Sequence, residues 1–118
     1  FSALTDEEKK FFQKREVQLF PVEVNELEKI NLNKALAIMA EKGISSLLVE
    51  GGSQLMSSFI DSGLYDRMTV FMAAKLLGNG KSFYQRENMS MEKAQNMNLR
   101  ECRKLGQDVI VELEHREA

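Results

Sequence analysis

The stretch SLLVEGGSQLM, residues 46–56, decides the fold of this 118-residue chain. An apolar run ends at Glu50, two glycines follow, and apolar residues then recur with helical spacing from Leu55 to Ile60. This order predicts a strand, a tight turn and a helix. Two glycines let the backbone approach a ligand closely, and the first helical turn offers unpaired N–H groups with partial positive charge. The stretch therefore predicts either a simple sharp turn or a cradle for an anion such as a phosphate.

The bulk composition is that of an ordinary soluble domain or part of one. Apolar residues make up 43% of the chain and charged residues 29%, and 16 basic side chains face 18 acidic ones. A nucleic-acid surface usually carries a basic excess, so this balance gives no support to nucleic-acid binding. No apolar run approaches the roughly 18 residues of a membrane span, and nothing resembles a signal peptide. We therefore expect a cytoplasmic protein without a membrane segment.

Cysteine and histidine are too scarce for several kinds of site. The single Cys102 cannot form an internal disulfide, and His115 is the only histidine. A Cys/His metal site is excluded, and Ser-His-Asp or Cys-His catalysis would have to use His115, which lies in a charged tail. We expect no metal site, and cofactor or carboxylate chemistry remains as the enzymatic option.

The N-terminal region predicts a short helix followed by an extended segment. Thr5 and Glu8 have the spacing of a capping box, so a helix is expected from Asp6 to about Lys14. Residues 17–24 then read as extended, and Pro21, which has no N–H donor, favours an edge or terminal position there.

A second helix leads into the opening stretch. Asn31 is a suitable N-cap, apolar residues recur with helical spacing after it, and Gly43 occupies the usual C-terminal position. A strand, a helix and a near-continuous apolar strand in succession form a βαβ unit, which predicts a parallel sheet covered on both faces.

A third helix and a long strand follow the glycines. The helix is expected from Ser53, as its cap, to Ser62, with Gly63 ending it. Residues 67–77 are apolar enough for a buried strand, and the irregular segment after them is expected to bring Phe83 and Tyr84 against the core.

The C-terminal region predicts antiparallel structure. Residues 98–105 and 107–114 flank Gly106 as two strands of a hairpin. The strand face expected to be buried carries Val109, Val111 and Leu113, with a partly wet face opposite that carries Ile110, Glu112 and Glu114. The fold class is therefore α/β with a mixed sheet flanked by helices. Residues 1–118 form one domain or the C-terminal part of one, with βα units over about 1–80 and antiparallel strands over about 81–118.

With the order established, the chain resembles the C-terminal reductase domain of bifunctional riboflavin-biosynthesis deaminase/reductase proteins, which has a dihydrofolate-reductase-like fold. Four blocks and the spacing between them carry the resemblance; together they are fairly specific, although each alone is weak. They are Leu47-Leu48-Val49-Glu50-Gly51-Gly52, Ser58-Phe59-Ile60 through Gly63-Leu64-Tyr65-Asp66, Lys75-Leu76-Leu77-Gly78-Asn79-Gly80, and Leu105-Gly106-Gln107-Asp108-Val109.

The resemblance implies an oxidoreductase that uses NADPH. The family reduces the ribose of a phosphorylated ribosylaminopyrimidine to a ribityl chain by hydride transfer. By resemblance, Glu50 lies near the reacting ribose and nicotinamide, where a carboxylate can hold hydroxyls or assist proton transfer. The alternative for Glu50 is a carboxylate hydrogen-bonded to nearby backbone. The residues that resemblance places against the cofactor phosphates are Gly51, Gly52, Ser53, Gln54 and Leu55.

The chain departs from the family pattern in two respects. Ala74 stands before Lys75 where the family commonly has proline, a minor change that concerns backbone shape. More seriously, the resemblance covers nearly all of the chain but only the later half of the family's domain. The substrate-contacting lysine strand, its Ser-x-Asp-Gly segment and the glycine and threonine loop for the far end of the cofactor have no counterpart here. We therefore expect this chain alone to bind NADPH weakly or not at all.

Two other functions stay open beside the riboflavin reductase. One is a non-enzymatic α/β module for subunit association or for binding a phosphate-bearing ligand. The other is a dihydrofolate-reductase-like enzyme with a pteridine substrate, since one scaffold can serve several substrates. The expected partners are the phosphorylated pyrimidine substrate and either a second copy, as a homodimer, or the missing half of the domain, because long apolar strands would otherwise leave open sheet edges.

Overall fold

The computed structural model describes residues 4–24, 29–86 and 90–115, apart from the side chain of Lys93. The chain divides into two compact units, residues 1–48 and residues 49–118. Among the described residues, no helix is long and apolar enough to cross a membrane.

Helix α1 of the first unit spans Asp6–Gln13 and begins with the predicted capping box. The backbone N–H of Thr5 donates to Glu8 Oε2 at 2.8 Å, and the N–H of Glu8 donates to Thr5 Oγ1 at 3.3 Å. The pKa of Glu8 is lowered, first because the backbone of Thr5 donates to its carboxylate and second because the Thr5 hydroxyl does so as well. The box satisfies N–H groups that the helix itself cannot pair, so the helix begins where the sequence predicts.

Helix α2 spans Leu32–Glu41 and has both predicted end signals. The side chain of Asn31 accepts from the N–H of Lys34 at 3.2 Å. At the other end Gly43 has φ +80°, and Ile44 N–H donates to Met39 O at 3.1 Å. This left-handed ending suits glycine because a Cβ would be strained there.

The predicted βαβ unit around α2 is wrong for the part of the chain that the structure describes. Residues 17–23 and 44–50 carry no strand assignment, and the bridge Val24↔Ile30 is the pairing described in this unit. A strand needs a neighbouring strand for its N–H and C=O groups, and the described residues pair no strand with residues 44–50. Leu47 and Leu48 are accordingly 47% and 81% exposed, although their apolar sequence predicts a buried strand.

Helix α3 of the second unit spans Ser53–Asp61 and leads directly to strand β1, Arg67–Met72. Gly63, with φ +65°, ends the helix as predicted, and Leu64 N–H donates to Phe59 O at 3.1 Å. Strand β1 is shorter than the predicted 67–77. Its last residue Met72 pairs with Val109, next to the start of the partner strand, so residues 73–77 have no residue opposite them.

Three strands form one antiparallel sheet in the order β1-β3-β2. After a single 3-10 turn at Met91–Lys93, β2 spans Met97–Leu105 and β3 spans Asp108–His115. The predicted hairpin is therefore confirmed, and Gly106 takes φ +61° in its turn. The helices and the sheet together confirm the predicted α/β class.

The core of the second unit contains Phe59, Ile60 and Ile110, at 8%, 6% and 3% exposure. Ile110 lies on the strand face that alternation predicts to be partly wet, whereas Val109 and Val111 are only half-buried. The prediction for this strand is wrong because β3 is the central strand, with β1 and β2 on its two sides. Side chains of the paired residues on β1 and β2 lie beside those of β3 on both faces of the sheet, so both sets of β3 side chains lose exposure.

Candidate functional site

The predicted site lies at the start of α3. Glu50 and Gly51 precede the helix, Gly52 is its N-cap with φ −65° and ψ 162°, and Ser53 opens the first turn. The prediction that Ser53 is the cap is wrong, since Gly52 holds that position and no side-chain cap bond is present. The helix therefore begins without the side-chain oxygen that usually accepts from its first N–H groups.

Some backbone N–H groups of the first turn of α3 donate hydrogen bonds within the structure, and others do not. The carbonyl of Gly52 accepts from Leu55 N–H at 3.1 Å and from Met56 N–H at 3.2 Å. The N–H groups of Ser53 and Gln54 donate to no acceptor within the described residues. Two unpaired donors thus remain at the positive end of a helix, and an anion is the ligand that such a group prefers. Of the three amides that resemblance places against phosphates, these two are the ones left unpaired.

The two glycines of the turn differ in what surrounds them. A Cβ at Gly51 would lie 3.2 Å from Leu55 Cδ2, so packing accounts for glycine at that position. A Cβ at Gly52 would meet no heavy atom within 4 Å, and its φ of −65° is accessible to any residue. Neither backbone conformation nor neighbouring atoms explain glycine at position 52. An N-cap side chain normally reaches the amides of the first turn, so glycine here keeps the space beside them open.

Glu50, two residues before Gly52 in the chain, is exposed. Its carboxylate makes no hydrogen bond or ion pair with a residue in the described ranges, so nothing there supports the alternative of a backbone-bonded structural carboxylate. An exposed carboxylate a few residues before unpaired amides can accept from the hydroxyl groups of a ligand whose phosphate the amides hold.

A polar cluster that the sequence reasoning missed ties α3 to the segment after β1. Asp61 Oδ1 accepts from the Tyr84 hydroxyl at 2.9 Å and lies 3.4 Å from Arg86 Nη1. Ser57, only 8% exposed, accepts at its Oγ from Gln85 N–H at 2.9 Å. The pKa of Arg86 is raised, first by its hydrogen bond to Tyr84 and then by the charge of Asp61. No local sequence signal marks these contacts because the partners are far apart in the chain.

The aromatic residues near this cluster differ from expectation in one case. Tyr84 is half-buried, in agreement with the prediction, whereas Phe83 is 50% exposed and the prediction for it is wrong. The ring of Tyr65 packs edge-on against His115 with centroids 5.1 Å apart, and its buried hydroxyl has no hydrogen-bond partner in the described structure. Burial therefore raises the pKa of Tyr65, and the nearby Tyr84 raises it further.

The titratable residues form no metal site within the described ranges, where no group of three or more histidine, cysteine, aspartate or glutamate side chains could hold an ion. His115 packs against Tyr65, and Cys102 is an exposed free thiol.

A shallow depression of about 470 Å³ lies on α1, away from the glycine turn in sequence, lined by Glu7, Lys10, Phe11, Lys14 and Arg15. Arg15 stacks on the Phe11 ring at 3.6 Å and donates to the Phe11 carbonyl at 3.1 Å. The other lining side chains are exposed charges on a helix face, which is the usual character of a solvated surface. The depression is lined by charged side chains and one aromatic ring, and no glycine is among its lining residues.

Comparison with known proteins identifies the family to which this chain belongs. The family model described as the RibD C-terminal domain matches residues 3–111. The riboflavin biosynthesis protein RibD of Aquifex aeolicus is 33% identical over 90 residues, which cover 76% of this chain and 25% of that protein. RibD of Corynebacterium ammoniagenes is 43% identical over 51 residues, 43% of this chain and 15% of that protein. The chain thus spans a quarter or less of the length of these two relatives.

Solved structures agree on the fold. RibD of Acinetobacter baumannii superposes with a TM-score of 0.68 at 24% identity, over 86% of this chain and 27% of that one. A pyrimidine reductase-like protein of Corynebacterium diphtheriae gives a TM-score of 0.69 at 14% identity, over 100% of this chain and 48% of that one. These likenesses confirm the dihydrofolate-reductase-like fold class that the sequence blocks imply. Because the family model matches residues 3–111, nearly the whole of this chain, the chain belongs to the RibD C-terminal domain family.

Proposed function

We propose that this chain forms one wall of the active site of an NADPH-dependent reductase in riboflavin biosynthesis. The substrate class is a phosphorylated ribosylaminopyrimidine, whose ribose is reduced to a ribityl chain with a hydride that NADPH supplies. The observation that carries the proposal is the open space at Gly52 beside the unpaired amides of Ser53 and Gln54. Membership of the RibD C-terminal domain family supports the reaction class.

The residues at the turn fit the phosphates of a dinucleotide. The unpaired N–H groups of Ser53 and Gln54 would donate to phosphate oxygens, and the helix end would favour their negative charge. Glycine at 52 would leave the backbone accessible, because a Cβ there would meet no heavy atom within 4 Å, whereas Gly51 packs against the Leu55 side chain. In this proposal the N–H of Leu55, which donates to Gly52 O, contributes through the backbone it stabilises and not through a free donor.

Glu50 is the catalytic group in this proposal. Its carboxylate would accept from the ribose hydroxyls and so orient the carbon that is reduced, and it could take or return the proton of a hydroxyl as the sugar opens. The exposed, unpaired state of Glu50 supports such a role because no internal partner has to be displaced. Cytoplasmic localisation is part of the proposal, in keeping with the exposed free thiol of Cys102.

The experiment is a titration of the isotope-labelled chain with NADPH followed by NMR, which detects millimolar affinity. We expect chemical-shift changes at the amides of Ser53 and Gln54, with weak affinity for this chain alone. Addition of the pyrimidine substrate to a NADPH-containing reaction then tests the reductase step by loss of nicotinamide absorbance. A titration that moved only amides outside residues 50–55 would contradict the cofactor assignment.

We also propose that this chain associates with a second copy or with further parts of the domain, and a separate observation supports this. Both outer strands of the sheet have one unpaired edge in the described structure, and Phe71 and Met72 of β1 are 66% and 57% exposed. Such edges and apolar side chains are covered in stable proteins, by a second copy as a homodimer or by further parts of the domain. Sedimentation analysis distinguishes a homodimer from a monomer.

A further inference from the structure

The segment after β1 contacts α3 at two successive positions of one helical face. Gln85 N–H donates to Ser57 Oγ, and the Tyr84 hydroxyl donates to Asp61 Oδ1. Ser57 and Asp61 lie four residues apart, so they share the helix face that begins one turn earlier at Ser53. The two contacts therefore fix the face of α3 on which Ser53, with its unpaired amide, also lies.

The contact at Ser57 is the most buried of these interactions. Ser57 is 8% exposed and is the buried polar residue of the described structure. Its hydroxyl satisfies a backbone N–H of an irregular segment, and removing it would leave the Gln85 donor unpaired in a partly buried place. A third bond, from Gln95 Nε2 to Ile60 O at 3.2 Å, ties the same helix to the segment before β2.

Charge adds to the second contact. Arg86 Nη1 lies 3.4 Å from Asp61 Oδ1, the same oxygen that accepts from Tyr84. The side chains of Asp61 and Arg86 are 39% and 47% exposed, so the ion pair by itself contributes little. Its geometric effect is to fix Asp61 between two donors.

We propose that the segment Tyr84–Arg86 is a positioning element that holds α3, through Ser57 and Asp61, so that the amides of its first turn keep their orientation toward a bound phosphate. The proposal rests on the function proposed above for those amides. Ser57 is the principal positioning residue, because its bond lies one helical turn from Ser53. Tyr84 is the second, through its bond to Asp61.

The test compares Ser57→Ala with Ser58→Ala in the full chain. Ser58 is the matched control, since its hydroxyl donates to Gln54 O within the same helix at 2.9 Å and does not reach the Tyr84–Arg86 segment. Backbone order parameters of Leu55 and Met56 are measured without ligand. We expect Ser57→Ala to lower them from about 0.85, typical of rigid backbone, toward about 0.6, and Ser58→Ala to leave them unchanged. Unchanged values in Ser57→Ala, or an equal loss in both variants, would overturn the proposal.

Tyr84→Phe is a second variant, to be used if Ser57→Ala does not fold. It loses a hydrogen bond to an exposed oxygen of Asp61, so we expect it to keep the fold. The same loss of order at Leu55 and Met56 is expected, in smaller degree, and its absence would overturn the role of the segment. Inorganic pyrophosphate is then titrated into each variant. Its affinity should fall by about 2- to 10-fold in Ser57→Ala, the effect of losing one hydrogen bond, and stay unchanged in Ser58→Ala. If pyrophosphate and NADPH shifted only amides outside residues 50–55, the proposed function would fail, while the ligand-free order parameters would still decide the positioning role.

Discussion

Replacing Gly52 by alanine separates a ligand cradle from a simple turn. The backbone at Gly52, φ −65° and ψ 162°, suits alanine, and the new Cβ would meet no heavy atom within 4 Å. Loss of glycine's freedom in the unfolded chain stabilises the fold by about 0.4–1 kcal/mol, and alanine's weaker N-cap preference offsets a similar amount. The free energy of unfolding should therefore change by less than about 1 kcal/mol.

Ligand affinity should respond much more strongly to the same change. The added methyl group would stand where an N-cap side chain stands, in front of the unpaired amides of the first turn. A charge-assisted hydrogen bond contributes about 1.5–3 kcal/mol, so losing one weakens phosphate binding by about 10-fold or more. The assay is an NMR titration with NADPH and with inorganic pyrophosphate at the amides of Ser53 and Gln54, together with thermal unfolding.

Gly51→Ala is the control for this experiment. Its Cβ would lie 3.2 Å from Leu55 Cδ2, the end of a side chain that can rotate away, so we expect a cost in stability of up to about 1 kcal/mol with a smaller loss of affinity. If Gly52→Ala bound pyrophosphate as tightly as the unaltered chain, the open space would have no role in binding. An equal loss of affinity in both variants would likewise refute the reasoning, because it would assign the effect to the turn as a whole.

Three further predictions concern single side chains. In a reductase that holds both walls of the site, Glu50→Gln should lower kcat for the proposed reduction by about 100-fold or more while the KM for NADPH changes little, measured by steady-state kinetics; unchanged kcat would remove Glu50 from the chemistry. Tyr65→Phe removes a buried hydroxyl without a partner in the described structure and should stabilise the fold by about 1 kcal/mol in thermal unfolding. Because burial raises the pKa of Tyr65, the native state keeps a proton that the unfolded state loses, so stability falls as the pH rises above about 10, and Tyr65→Phe should weaken that fall. The Glu8 pKa is lowered, so its contribution is present above the unfolded value near 4.5 and is lost as the pH falls through the folded value. Glu8→Gln, which keeps a capping box with Thr5, should make the helicity of α1 less dependent on acid pH, as circular dichroism would show; an acid loss of helicity as large as in the unaltered chain would contradict this.

The sequence predicts those parts of the fold whose causes are local. The bonds of Thr5 with Glu8, the Asn31 cap and the left-handed glycines lie within a few residues of the structure they determine, and each helix begins or ends close to its expected position. The hairpin at Gly106 belongs to the same class. Strand pairing is not local, which explains why residues 44–50 are predicted as a parallel strand and have no described neighbour.

The candidate site likewise has features that adjacent residues predict and one contact that they do not. Two glycines before an amphipathic helix predict an N-terminal turn with free amides, because cap geometry depends on adjacent residues. The correction at Ser53 is a shift of one residue, from cap to first helical position. The bond between Ser57 and Gln85 joins residues 28 apart, and a serine inside a helix carries no signal of such a partner. Only the folded chain shows that contact.

The position of β3 between its neighbours has a consequence for the order of folding. β2 and β3 are joined by a two-residue turn, whereas β1 reaches β3 only after the segment 73–107 has closed as a loop. The entropy lost on closing a loop grows with its length, so the hairpin is the cheaper structure to form first. We expect substitutions in the hairpin to slow folding and substitutions in β1 mainly to accelerate unfolding, and stopped-flow kinetics showing the reverse would contradict this order. Since α3 is joined to β1 by residues 62–66, the turn that carries Gly52 would then be among the last parts of the second unit to reach its final arrangement.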